Sequence, residues 1–353
     1  MTNALLMTAG LGVLAFATWD QYWTTLGEGG GPLTRRVAGL VRQFFRWSYR
    51  HWESSRLLSA GGVATILVTI LIWIGLIWAG WALVFSAQMG QVVDVESGKP
   101  ADVWQRIYFS GYIISTLGIG DIQPRGALWR VLAPAASLLG LIQITFSIAY
   151  LIPISGAATH KRKVASYISC LGQSADDIIL NMWDGEALTS ISDHLQSITA
   201  DLALLEQSHI TYPVLHYFHS LKRPEAVGPS LAVLDEALSI IEHGVDEDHT
   251  LHAGLFHPAR RIISNFLQTL DAAAEKSEAE VPPVPTLDRL RDAGIPVVSD
   301  EAFEDKMAEL DERRSLLHAL VLADGWTWEV ARETDAEDAD DNEEEALAHR
   351  EAL

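Results

Sequence analysis

The chain has 353 residues, 49% of them hydrophobic and 20% charged, and carries a formal net charge of -21 beside a positive mean hydropathy of +0.15. The two properties occupy different halves: residues 1–165 hold 13 Lys and Arg against 7 Asp and Glu, residues 166–353 hold 12 against 39. An apolar, mildly basic half followed by an acidic one argues against a single globular enzyme domain and, lacking a basic footprint, against a nucleic-acid partner; the lone cysteine, Cys170, excludes an intrachain disulfide and a cysteine metal cage.

In chain order, 3–19 is an apolar stretch of borderline spanning length, without the basic start of a signal peptide, and reads as a first membrane span or as a helix packed beside the others. Residues 34–57 read as an amphipathic helix: Arg42, Arg46 and Arg50 recur every fourth position and line one face, while Val37, Leu40, Val41, Phe44 and Phe45 fill much of the rest. Such a helix lies at a membrane surface, either as an anchor or as a binder of anionic lipid coupled to gating. Residues 61–87 and 131–159 hold no charge and each exceeds the ~20 residues that cross a bilayer. The arginines of 35–56 and the His160-Lys161-Arg162-Lys163 run place 27–60 and everything after 160 in the cytoplasm of a cell membrane, with 88–130 outside. Trp19, Trp23, Trp104 and Trp129 fall near the expected interfaces, where aromatic rings anchor.

The outer segment holds a helix-length apolar stretch, 104–115, followed directly by Thr116-Leu117-Gly118-Ile119-Gly120-Asp121. A short helix that ends in Thr-x-Gly-x-Gly-Asp between two spans resembles the pore loop of the potassium channels. The resemblance covers roughly 61–160 and implies an all-α membrane fold of outer helix, pore helix, filter and inner helix, assembled as a homotetramer, with K+ as permeant ion and no cofactor. Rings of backbone carbonyls replace the water of the permeating ion. Aiming successive carbonyls at one axis requires left-handed backbone, which Gly118 and Gly120 adopt without a Cβ penalty. The resemblance implies ion sites at Thr116, Leu117, Gly118, Ile119 and Gly120 and a hydrogen-bonding brace at Asp121. It departs from the family at Ile119, where an aromatic normally ties the filter to its surroundings, and at Tyr112, the place of a buried carboxylate in some relatives. Gly140 reads as a gating hinge or as a close helix contact, and Pro153 as a kink near the inner end of the last span. No voltage-sensing helix is visible.

After residue 163 the pattern predicts helices at 164–183, 187–208, 229–243, 258–275 and 300–323, separated by breakers that include Pro258 and Pro282-Pro283. The regions expected are an N-terminal helix at 1–26, the interfacial helix within 27–60, a pore domain at 61–160, an all-α cytoplasmic domain at 161–333 and an acidic tail from 334. No strand leads into a GxGxxG loop and no nucleophile stands beside a base, so neither a nucleotide-binding domain nor an enzyme is expected. His216 with His219, and His249 with His252, are three apart and are candidates for a metal or proton sensor sharing a helix face, against the reading of ordinary histidines. The expected function is a potassium-selective channel; a weakly selective K+/Na+ channel and a non-conducting scaffold on the same fold are the alternatives. The regulatory ligand is not legible.

Overall fold

The computed structural model describes residues 2–27, 29–52, 55–188, 190–246, 249, 253–273 and 279–329; His252 and the acidic tail lie outside the described residues. Within them run twelve α-helices and one two-stranded sheet, an all-helical architecture of the expected class. The chain divides into two compact units, residues 1–157 with 209–218, and residues 158–208 with 219–353.

The first unit contains α1 (Thr2–Leu26), α2 (Pro32–Trp52), α3 (Ser55–Ser86), β1 (Val92–Asp94), α4 (Val103–Ile114), β2 (Ile122–Pro124) and the start of α5 (Ala127–Leu171). Residues 60–86 of α3, and α5, are long and apolar enough to cross a membrane. The extra helix α1 runs antiparallel to α3. Their backbones meet at two glycines: a Cβ on Gly10 would lie 2.8 Å from the Gly80 carbonyl, and one on Gly80 would lie 2.7 Å from Leu14. Close approach at small residues is how helices associate where no hydrophobic effect drives them together. Residues Pro213–Tyr217 form a 3-10 turn in this unit, and the Phe218 ring fills the space where Gly62 has no side chain.

In the second unit the end of α5 is followed by α6 (Ala175–Met182), α7 (Ile191–Thr211, through Ser208), α8 (Val227–His243), α9 (Ala253–Ala273), α10 (Asp288–Asp292), α11 (Asp300–Ala308) and α12 (Asp311–Ala323). Helix α8 is its axis: every residue from 227 to 241 is buried, as expected of a helix that is apolar around its circumference. Two acids sit inside it. Asp235 takes Arg313 through two hydrogen bonds, at 2.6 and 2.8 Å. Glu236 takes Arg314 at 3.0 Å, and Arg314 also donates to the Pro282 and Pro283 carbonyls at 2.9 and 2.8 Å.

Three boundaries differ from the sequence reading. Helix α5 continues unbroken through 164 to Leu171. Pro258 lies inside α9 instead of marking the start of the helix expected from 258; a proline removes one i→i−4 bond, and the flanking apolar face, with Phe256, Ala259 and Ile263 in the core, holds the helix through it. The helix expected over 300–323 breaks at 309–310, where Leu310 packs against the core.

Truncating Arg314 to alanine leaves the Glu236 carboxylate buried without its counter-charge. The expected cost is about 3–5 kcal/mol, measured as a loss of thermal stability of the purified full-length protein.

Candidate functional site

The short helix α4 is fixed at its start by a capping box: Asp102 Oδ1 accepts the Gln105 N–H at 2.8 Å and Gln105 Oε1 accepts the Asp102 N–H at 2.9 Å. The buried Arg106 donates from Nε to the Ala101 carbonyl at 3.0 Å, and Trp78 on α3 donates to the Ile107 carbonyl at 2.8 Å. One face packs into an aromatic cluster in which Phe109 meets Phe85 edge-on at 4.8 Å and Trp129 stands 6.0 Å from Phe85. Trp129 is therefore a core residue, while Trp104, Trp19 and Trp23 are exposed.

The chain leaves helical geometry at Ser115. Three residues then have left-handed backbone: Thr116 with φ 60°, Gly118 with φ 57° and Gly120 with φ 86°. The two glycines were expected there; Thr116 was not. A β-branched residue in this region is strained by roughly 1–3 kcal/mol. Added Cβ atoms at Gly118 and Gly120 meet no close neighbour, so the glycines answer a conformational demand and not a spatial one.

Tyr112 holds both ends of this segment. Its carbonyl accepts the N–H of Leu117 at 2.9 Å and that of Gly118 at 3.4 Å, and its buried hydroxyl donates to the Ile122 carbonyl beyond the loop. Among the described residues the carbonyls of 116–119 accept no hydrogen bond, whereas the Gly120 carbonyl accepts from Gln123 Nε2 at 3.1 Å. Leu117 and Ile119 are exposed. Asp121 is exposed as well; its Oδ1 accepts the N–H of its own neighbour, Ile122, at 2.9 Å, and its carbonyl takes the Val95 N–H at 2.9 Å. Strands β1 and β2 pair antiparallel, Val92 with Pro124 and Asp94 with Ile122, and so draw together the two chain ends that enter and leave the loop.

Gly140 on α5 faces the end of α4. A Cβ there would come within 2.9 Å of Ile114 Cα and closer still to the Ile114 carbonyl oxygen. Of the two readings of this glycine, close packing is the one with a contact behind it; α5 stays helical through Gly140, Pro134 and Pro153. Arg42 lies in α2 half-buried, its Nε without a hydrogen-bond partner. Arg46 and Arg50 share that helix, and their side chains lie outside the described residues.

His216 and His219 do not share a helix. His216 closes the 3-10 turn of the first unit with its ring 5.0 Å from that of His209, and the helical geometry that would align it with His219 ends at Tyr217. His219 belongs to the second unit, where its Nδ1 lies 3.2 Å from Asp324. Lys161 is 3.6 Å from the same carboxylate, which also accepts the Gly228 N–H at 2.7 Å. Burial alone would push the Asp324 carboxyl up; the charge of Lys161, the His219 contact and the Gly228 N–H outweigh it and hold the group well below the usual carboxylate range. His249 stands 3.8 Å from Asp246, and His252 lies outside the described residues. Among these residues no three histidine, cysteine or acidic side chains converge as a metal site.

The sequence reading missed one polar cluster: Asp20, buried at the foot of α1, bonds Leu33, Thr34 and Trp73. Its signal was a lone carboxylate closing an apolar stretch just before a glycine-rich turn.

Residues 71–154, which include the whole loop, match the family described as "Ion channel". An uncharacterized membrane protein, YdjJ, from Bacillus subtilis (strain 168) is 35% identical over 324 residues, covering 91% of this chain and 94% of that protein. The chain belongs to the ion-channel family. No solved structure matches it. The likeness to YdjJ extends over both units.

Two substitutions probe the loop. Tyr112→Phe keeps the ring and removes one bond to a buried carbonyl; the expected loss is about 1–3 kcal/mol, read from thermal unfolding. Gly140→Ala drives a methyl group into the Ile114 backbone and is expected to cost at least as much, about 1–3 kcal/mol, and to lower ion flux through the protein reconstituted in vesicles.

Proposed function

We propose that this ion channel conducts potassium, and that residues 116–120 of four copies form the filter. The observation that carries the reading is the alternation of left-handed residues at 116, 118 and 120 with carbonyls at 116–119 that take no internal hydrogen bond. Backbone oxygens left free at membrane depth are tolerated where they line a cavity, and there they replace the hydration shell of a cation. Helix α4 ends at this loop, so the negative end of its dipole faces the same place. Four chains are needed because one loop supplies one side of each carbonyl ring.

In this reading α1, α3 and α5 span the cell membrane, α2 lies at its cytoplasmic leaflet and the acidic unit is cytoplasmic, following the arginines before α3 and the basic run after Thr159. Helix α5 is the inner helix in this reading and runs as a single helix to Leu171. Four copies of the acidic half in the cytoplasm would raise the local cation concentration.

Two observations favour a second reading, a pore that admits sodium as well. Ile119 offers no ring to tie the filter to its surroundings, and the Gly120 carbonyl is engaged by Gln123. Flux decides between them. Purified protein in vesicles is expected to pass K+ in large excess over Na+, and Gly120→Ala, which forces a Cβ at φ 86° at a cost of roughly 1–2 kcal/mol per subunit, is expected to abolish it. Equal K+ and Na+ flux would establish the weakly selective pore. The absence of any flux that Gly120→Ala removes would establish a scaffold.

A further inference from the structure

The two neighbours Asp20 and Gln21 sit where three helices of the first unit meet α1. Asp20 is fully buried and binds the start of α2: its Oδ1 accepts the Leu33 N–H at 2.8 Å, and its Oδ2 accepts the Thr34 hydroxyl at 2.8 Å and the Trp73 Nε1–H at 3.0 Å. A carboxylate is favoured at a helix N-terminus. Thr24 completes the joint, donating to the Asp20 carbonyl at 2.7 Å and accepting the Gly31 N–H at 2.8 Å. Gly31 has no room for a side chain, since a Cβ would lie 2.6 Å from Asp20 Cγ. The amphipathic helix α2 is thus fixed to α1 and α3 through one carboxylate.

Gln21 points to α5. Its Nε2 donates to the Gln143 carbonyl at 3.2 Å and to Ser147 Oγ at 3.3 Å. Beside it Tyr22 meets Phe146 edge-on at 6.2 Å, and Trp73, which binds Asp20, meets Tyr150 at 5.6 Å. The contact is not fully satisfied: Gln143 Nε2 is buried and has no hydrogen-bond partner. An orphan donor in an apolar bundle is costly. The α1–α5 joint is therefore a place where a small change in the setting of α5 alters buried hydrogen bonding.

The other arm of the joint is chemically suited to a lipid surface. Residues 32–52 contain five arginines and no acid, and Leu40, Phe44 and Trp47 on α2 are exposed. A basic helix with an apolar face, fixed beside the apolar helix α3, fits a surface of anionic headgroups and acyl chains.

We infer that Asp20 and Gln21 are positioning residues that transmit engagement of α2 by anionic lipid to the inner helix α5. The inference rests on the conduction proposed above and adds its regulation. The test compares K+ flux of the full-length protein in phosphatidylcholine vesicles and in vesicles with about one-third phosphatidylglycerol, for the wild type, Asp20→Asn and Gln21→Leu. Because each preparation is measured in both lipids, the flux ratio does not depend on the fraction of protein that is folded. The wild-type ratio is expected to be at least about fivefold, the range of an allosteric coupling, and both variants are expected to bring it close to unity while the preference for K+ over Na+ is unchanged. Gln21→Leu replaces a polar by an apolar side chain in an apolar bundle and so serves where Asp20→Asn fails to fold. The inference is overturned if the variants keep the wild-type ratio, or if the wild type conducts equally in both lipids, in which case conduction itself stands. Absence of wild-type flux in either lipid would remove the conduction reading and the inference together.

Discussion

The carbonyls of residues 116–119 are the constraint around which the first unit is organised. A backbone oxygen at membrane depth without a donor costs several kcal/mol unless it faces a cavity or an ion. Keeping four consecutive oxygens free means that the matching N–H groups have to be answered from the other side, and Tyr112 does this: its carbonyl takes two of them, and its hydroxyl reaches across to Ile122. One residue of α4 therefore spans the loop, and whatever positions α4 positions the loop. The capping box at Asp102, the Trp78 bond, the Phe85–Phe109 contact and the bare backbone of Gly140 all act on this short helix. Residue types that look unrelated in the sequence share one mechanical task.

Buried charge is handled alike in both units, by supplying a partner for every acid that cannot reach water. Asp20 is held by a helix N-terminus, a threonine and a tryptophan. Asp235 and Glu236 are held by the consecutive Arg313 and Arg314, and Asp324 by Lys161, His219 and a backbone N–H. Such pairs add little net stability over apolar residues of the same size, and removing one partner is costly. They fix which helix lies against which, a task apolar packing performs less strictly. The Arg–acid pairs fix α12 against α8, while Asp20 fixes α2 to α1 and α3.

What was legible in the sequence was local. The spans declare themselves by length without charge, the loop by TLGIGD, and the left-handed glycines by the need to turn successive carbonyls one way. Missing were the features that pair distant residues. Nothing near Tyr112 announces that its hydroxyl meets Ile122, nor does anything near Val92 announce that it pairs with Pro124. The left-handed Thr116 goes against local preference and is imposed by the loop. Pro258 was read as a breaker because propensity describes an isolated helix, and α9 is held through it by its buried face. His216 and His219 fail to share a face for the converse reason: a spacing of three aligns side chains only inside a helix, and the chain leaves helical geometry at Tyr217.

The isoleucine between the glycines bears on how such a loop keeps its shape. In the family this sequence resembles, an aromatic at that place ties the filter to its surroundings. Ile119 is 52% exposed and offers only an aliphatic surface. The tie lies one layer outward, where the Tyr112 hydroxyl binds the Ile122 carbonyl, so that the loop is braced at its end and not at its middle. A brace at the end fixes where the segment stops and leaves the exposed Ile119 without a side-chain tie at its middle. Strictness of ion choice depends on how firmly the carbonyls resist closing on a smaller ion. In the proposed filter that firmness rests on Tyr112, on the helix that precedes the loop, more than on the side chain at the loop's centre.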